Sequence, residues 1–254
     1  MHQRLNAGST VYDDIGDGYA RRRRPDPRIA RLVTQALGDA ETVINVGAGT
    51  GSYEPEDRVV VAVEPSSTMV RQRPRSSAPV IRAAAEALPA EDRTFDVATA
   101  FLTIHHWQDR AAGYRELRRV ADRTVVLTYD PDVHAQLWLV QEYVPEVAEL
   151  DRRRGFTLAE VVDALEPADI VPVPIPADCT DGFLMAFWRR PEAYLDPTVQ
   201  QTTSGLAFSD PTRLRQGLDR LRADIASGAW HERHGELLER DTFDAGLRLI
   251  VRAH

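Results

Sequence analysis

Apolar positions along the chain follow two rhythms. In residues 28–38 they fall at Ile29, Leu32, Val33, Ala36 and Leu37, a helical period that stops at Gly38. After it come short, continuous apolar runs at 43–47, 59–63, 95–100 and 124–129, with a weaker one at 79–82. Valine-rich runs of this length, without polar alternation, predict strands covered on both faces. Segments 66–72, 85–88 and 110–120 between them read as helices or turns. Strand followed by helix, repeated, predicts an α/β fold with a mostly parallel, doubly wound sheet.

Past Asp130 the rhythm changes. Residues 133–152 read as helical with a break near Pro145, and Thr157 to Leu165 as a further helix. Ile170 to Val173 reads as a strand before the proline-spaced VPVPIP, while 179–188 is ambiguous. Arg213 to Ile225 is amphipathic, with Leu214, Leu218, Leu221 and Ile225 on one side. Leu247 to Val251 reads as a closing, antiparallel strand. The predicted organisation is an arm at 1–27, a core at 28–176 and 244–254, and a helical lid insert at 177–243. The lid's Phe183, Phe187, Trp188, Tyr194, Phe208 and Trp230 are expected to contribute to a partly apolar pocket for a ring-containing or prenyl-like molecule.

Composition narrows the classes. The chain has 254 residues, 43% of them hydrophobic, with a net charge of −8 and a pI near 5.4. An acidic surface disfavours a nucleic-acid duplex as partner. The single cysteine, Cys179, leaves no internal disulfide and no thiolate metal cluster. No apolar run is long enough to span a bilayer and no leader is visible, so a cytoplasmic protein, monomer or homodimer, is expected.

The chemistry centres on VINVGAGTGSYEP, Val43 to Pro55. Gly47, Gly49 and Gly51 follow an apolar strand, where bare backbone makes a cleft floor for a nucleotide-like ligand. Glu64 ends the next strand, where a carboxylate can accept hydrogen bonds from both hydroxyls of a ribose. The connection SYEPEDR is too short for a full crossover helix, and its carboxylates make a poor phosphate cradle. That points away from NAD and from a P-loop.

VINVGAGTGSYEP, VVAVEPSSTMV, AAAEALPAEDRTFDVATA and LTIHHWQDRAAGYRELRRVA, in this order, resemble class I S-adenosylmethionine-dependent methyltransferases, most closely the ubiquinone/menaquinone-type small-molecule branch. The resemblance implies a Rossmann-like sheet, S-adenosyl-L-methionine as cofactor, S-adenosyl-L-homocysteine as product and a small-molecule acceptor. It implies that Gly47, Gly49 and Gly51 line the methionine and ribose part, that Glu64 takes the ribose diol, and that Pro65, Ser66 and Met69 flank adenine. Ala85 and Glu86 match the segment at the adenine edge, and Phe101 lies at the end of the fourth strand. Asn45 stands where the family often has an acid, and Ala84 where it usually has Asp. Tyr12, Tyr19 and Arg23 match the family's arm pattern and would close over the cofactor.

Candidate bases lie at strand ends. His105 or His106 is a natural base for a hydroxyl, phenol or amine, with packing of both as the alternative. Asp130, near Tyr129 and His134, reads either as a substrate-orienting acid or as a helix-start cap. Asp178, Cys179 and Asp181 read as a buried helix start, with no metal-ligand spacing around them. The function expected is methylation of a small, ring-containing or apolar molecule, O-methylation favoured. The alternative is a non-methylating S-adenosylmethionine-binding protein, regulatory or catalysing a cyclisation.

Overall fold

The computed structural model describes residues 23–252. Helix α1 (Pro27–Leu37) starts and stops where its residues require. The Asp26 carboxylate accepts from the Arg28 amide at 2.9 Å, Pro27 occupies the first turn, and Gly38 ends the helix at φ 60°. Its buried stripe of Ile29, Val33 and Leu37 faces the core.

The strands are β1 (Thr42–Val46), β2 (Val59–Val63), β3 (Val80–Ile81), β4 (Phe95–Phe101), β5 (Ala121–Tyr129), β6 (Asp169–Pro172), β7 (Ile175–Pro176), β8 (Thr242–Phe243) and β9 (Leu247–Arg252). Seven of them form one sheet in the order β3-β2-β1-β4-β5-β9-β6, and β7 pairs with β8 in a separate ribbon. β1 to β5 pair in parallel, and β9 runs antiparallel to both β5 and β6. This is a Rossmann-like mixed sheet with a helical insert, the architecture that the resemblance implies. Chain order reverses between β1 and β4, and a doubly wound sheet opens its cleft at the carboxyl ends of such a pair.

Helices α2 (Ser67–Gln72) and α3 (Arg110–Val120) lie in the predicted segments, whereas residues 85–88 form a turn, with the Ala87 amide on the Ala84 carbonyl. The stretch 133–152 divides into α4 (Pro131–His134), α5 (Trp138–Glu142) and α6 (Glu146–Arg154), followed by α7 (Leu158–Leu165). Between β7 and β8 the insert carries α8 (Pro197–Thr202), α9 (Ser204–Ala207), α10 (Pro211–Ser227) and α11 (Ala229–His234). The ambiguous segment 179–188 becomes a short 3₁₀ turn at Leu184–Phe187.

The cap is not the insert alone. α10 crosses the chain after α5 so closely that a Cβ at Gly217 would lie 1.9 Å from the Tyr143 carbonyl oxygen, so this crossing demands glycine. Trp138 Nε1 donates to the Trp188 carbonyl at 2.9 Å, and the Trp138 ring packs edge-on against Trp230 and Tyr194. Trp188 stacks on Phe243. Most of the lid aromatics therefore form the cap's own core, and of those expected at a pocket only Phe183 lines a cavity described below.

Candidate functional site

At the carboxyl ends of β1, β2 and β4 lies a cleft with about 980 Å³ of atom-free space. Arg23, Asn45, Gly47, Gly49, Glu64, Pro65, Met69, Ala85, Glu86, Phe101 and His106 line it. Gly51 and Ser66 stand behind this wall: the Gly51 amide turns back to the Ala48 carbonyl, and the Ser66 hydroxyl accepts from the Met69 amide to cap α2. Tyr12 and Tyr19 lie outside the described residues.

The glycine loop is pinned beside β2. Amides of Gly47 and Ala48 both donate to the Val63 carbonyl, at 2.8 and 3.0 Å. Gly47 has φ +69°, and a Cβ there would lie 2.2 Å from Thr103 Oγ1, so the loop passes too close to the β4 end for any side chain. Glu64 is 6% exposed and held by two backbone amides, Gly49 to Oε2 and Ser66 to Oε1, each at 2.8 Å. Burial raises its pKa, opposed by those two amides and by Arg73. A carboxylate fixed in this way on a cleft wall is preorganised to accept further hydrogen bonds from a diol.

Asn45 occupies the position where an acid was expected to favour an ammonium. Its Oδ1 accepts from Thr99 at 3.3 Å, and its Nδ2 donates to Glu54 Oε1 at 3.1 Å. Glu54 in turn binds Arg73 through both oxygens at 2.7 and 2.8 Å, and Arg73 Nη1 donates to the Gly49 carbonyl. A buried carboxylate thus stands next to Asn45, but Arg73 neutralises it. Glu86 Oε1 accepts from the amides of Gln108 and Asp109, so that oxygen is engaged in holding the loop before α3.

A second cavity, with about 600 Å³ of atom-free space, adjoins the first; Arg23, Leu102 and His106 line both. Its outer walls come from α4 and α6 on one side and from residues 183–185 and 202–205 on the other. His105 lines this cavity only. Asp130 lines neither: its carboxylate accepts from the Asp132 and Val133 amides and caps α4. The second cavity's polar lining includes Tyr129, His134, Asp151 and Arg154, with Thr202, Thr203 and Ser204 on the insert side.

Burial, reinforced by His106 and then by Arg154, Arg23 and His134, holds His105 well below the ordinary imidazole value of 6.5; burial with Arg154 and Arg23 brings His106 down to about 3. Neither ring therefore gives a rise of rate with pH through 6.5. Both stay neutral in the fold and take up protons near 6.5 only when unfolded, so the unfolded state binds more protons below that value. Their contribution to stability is complete above pH 6.5 and lost as pH falls towards the folded pKa values, at up to about 1.4 kcal/mol per pH unit for each ring. Urea unfolding should show lower stability near pH 5 than near pH 7. His105→Phe should lose less over that interval, and an equal loss would remove His105 from the effect.

Several residues take roles in the structure that the sequence did not give them. Asp181 is 1% exposed and accepts from Arg23 Nε, the Tyr53 hydroxyl and the Gly182 amide at 2.8, 2.8 and 2.7 Å. It ties Arg23, the glycine loop and the insert together, and it does not begin a helix. Cys179 is buried, and burial pushes its thiol up to about 12. Asp151 and Arg154 lie on α6 and belong to no motif of the sequence. Among the described residues no three His, Cys, Asp or Glu side chains converge as a metal site, and no helix is long and apolar enough to cross a membrane.

Residues 44–127 match a family described as a methyltransferase domain. The structure is similar to that of a protein from Anabaena variabilis, described as a methyltransferase from an antibiotic biosynthesis pathway. It is 30% identical, with 93% of this chain and 100% of that chain covered and a TM-score of 0.84. Similarity to the YcgJ protein of Bacillus subtilis, at 17% identity over 87% and 95% of the two chains, has a TM-score of 0.51 and shows the fold. A Bacillus halodurans structure described as a methyltransferase likewise shows the fold, at 16% identity over 88% and 96%, with a TM-score of 0.50. A search of curated proteins finds no match.

Proposed function

Because the chain belongs to the class I S-adenosylmethionine-dependent methyltransferases, we propose that it O-methylates a small ring molecule bound in the second cavity. The observation that carries this reading is the shared wall: Leu102, His106 and Arg23 face both cavities, so a ligand in one lies against a ligand in the other. A methyl acceptor must be held next to the donor in this way, because in-line displacement depends on alignment.

The residues of the first cavity fit the cofactor. Gly47 and Gly49 supply bare backbone, Glu64 a fixed diol acceptor, and Pro65, Met69, Ala85 and Phe101 an apolar slot for a purine. Arg23 at the shared wall suits a carboxylate, although it already pairs with Asp181. When bound, S-adenosylmethionine supplies a sulfonium-activated methyl group whose departure leaves a neutral thioether. The remaining work of the chain is to orient the acceptor, exclude water and receive a proton.

The relative from an antibiotic biosynthesis pathway supports a small organic acceptor. Placement in the ubiquinone/menaquinone-type branch rests on the motifs alone, and the second cavity, with Asp151, Arg154 and three imidazoles on its wall, suits a compact hydroxylated ring better than a prenyl chain. Calorimetry with S-adenosylhomocysteine is the test. Saturable binding at one site per chain is expected, and the absence of any binding heat and of any thermal shift would end this reading.

A further inference from the structure

We propose that His134, oriented by Asp151, accepts the hydrogen bond and then the proton of the acceptor's hydroxyl, which makes the second cavity a site for neutral phenol-like molecules. The proposal rests on the methyltransferase reading above and adds to it the group that recognises the acceptor.

His134 is 5% exposed on the cavity wall, and its Nε2 is buried without a hydrogen-bond partner. A buried, unpaired imidazole nitrogen is costly unless a ligand satisfies it. The other nitrogen, Nδ1, lies 3.4 Å from Asp151 Oδ2. Asp151 is itself 5% exposed, with Oδ1 accepting from the Tyr129 hydroxyl at 2.8 Å and lying 3.7 Å from Arg154. Burial, with Asp151 next to it, holds the Tyr129 phenol protonated by raising its pKa well above 10. Tyr129 therefore donates to Asp151, and the carboxylate can only accept. The neutral His134 ring must then carry its hydrogen on Nδ1 and present a lone pair on Nε2.

That polarity selects the ligand. A lone pair recognises a donor, and Arg154 and Arg23 on the same wall disfavour a cationic one. Phe183, Leu184 and Met185 supply an apolar face for a ring opposite these polar groups. Burial holds His105 and His106 below the ordinary imidazole value, which makes both weak proton acceptors. On methylation the acceptor oxygen gains a bond to the methyl carbon, the carbon–sulfur bond breaks with its electron pair remaining on sulfur, and the O–H proton moves to Nε2. The resulting imidazolium faces the Asp151 carboxylate, and the proton returns to solvent when the product leaves.

The test is nitrogen NMR of histidine-labelled protein saturated with S-adenosylhomocysteine, with phenol and toluene as probes and His134 assigned from His134→Gln. The expected result is an Nδ1–H tautomer whose Nε2 resonance moves with phenol and not with toluene. Phenol affinity should fall at least about tenfold in His134→Gln, with S-adenosylhomocysteine affinity unchanged, and Asp151→Asn should mix the two tautomers. If Asp151→Asn does not fold, the His134→Gln comparison decides alone. An Nε2–H tautomer in the wild type, equal responses to phenol and toluene, or phenol binding unchanged in His134→Gln would each overturn the proposal. Loss of S-adenosylhomocysteine binding by the wild type would instead count against the cofactor reading, so the two failures are distinguishable.

Discussion

Replacing Arg73 by Met is expected to lower stability by about 3–5 kcal/mol, because it leaves the Glu54 carboxylate buried without its partner. The two side chains are 4% and 8% exposed and bonded at 2.7 Å, 19 positions apart in the chain. For a domain of this size the melting temperature should fall by about 6–20 °C. Arg73 also donates to the Gly49 carbonyl at 3.2 Å and to the Ala78 carbonyl at 3.2 Å, so the variant frees the glycine loop from its support. S-adenosylhomocysteine affinity should fall along with stability. Arg73→Met combined with Glu54→Met should recover most of the stability, since an apolar pair of similar volume leaves no unpaired charge. Chemical denaturation of the two single variants and the double variant measures the coupling, and a loss below about 1 kcal/mol in Arg73→Met would show that the pair is not buried in solution.

Replacing Glu64 by Gln is expected to weaken S-adenosylhomocysteine binding by about 10- to 150-fold, the equivalent of about 1.5–3 kcal/mol for one charge-assisted contact with the ribose. The reason lies in how the carboxylate is already used. Each oxygen accepts from a backbone amide, Gly49 or Ser66, and still has a lone pair for the ligand. Glutamine retains one oxygen and places an NH2 against the other amide, donor facing donor. The effect on folding should be much smaller than the effect on binding. Burial raises the Glu64 pKa above its ordinary 4.5, so the ionised group opposes folding above that value, and removing its charge offsets the lost hydrogen bond. Calorimetry together with thermal unfolding of the apo variant separates the two quantities. Unchanged affinity would remove Glu64 from the ribose site.

Much of the site was legible because its markers are local. A strand ending in Gly47-Ala48-Gly49 and a second strand ending in Glu64 place both features at the same edge of a parallel sheet, since each strand's carboxyl end points the same way. The period-3.6 stripe of α1 and the leucine spacing of α10 announced helices for the same reason: they report the burial of one face, which neighbouring residues decide together. Residues 85–88 left helix and turn open, because a short run of Ala, Glu and Leu favours a helix by propensity but is too short to settle one. The structure makes a turn there, with the Leu88 amide donating to Glu116 on α3.

By itself, the sequence determined the alternation of strands and helices, the closing antiparallel strand, the glycine loop after the first strand and the carboxylate after the second. Each follows from periodicity or from residue types a few positions apart. Only the tertiary structure decided which carboxylate meets which cation or ring. Asp181 reaches Arg23 and Tyr53 across 158 and 128 positions, Glu54 takes Arg73, and Asp151 takes His134 and Tyr129, while Asp130, the more conspicuous acid, caps a helix. With 39 acidic and 31 basic side chains, composition allows far too many pairings to choose among. The choice is made by packing: a charge becomes a site residue when the fold removes it from water beside one particular partner, and that is a property of elements brought together from distant parts of the chain.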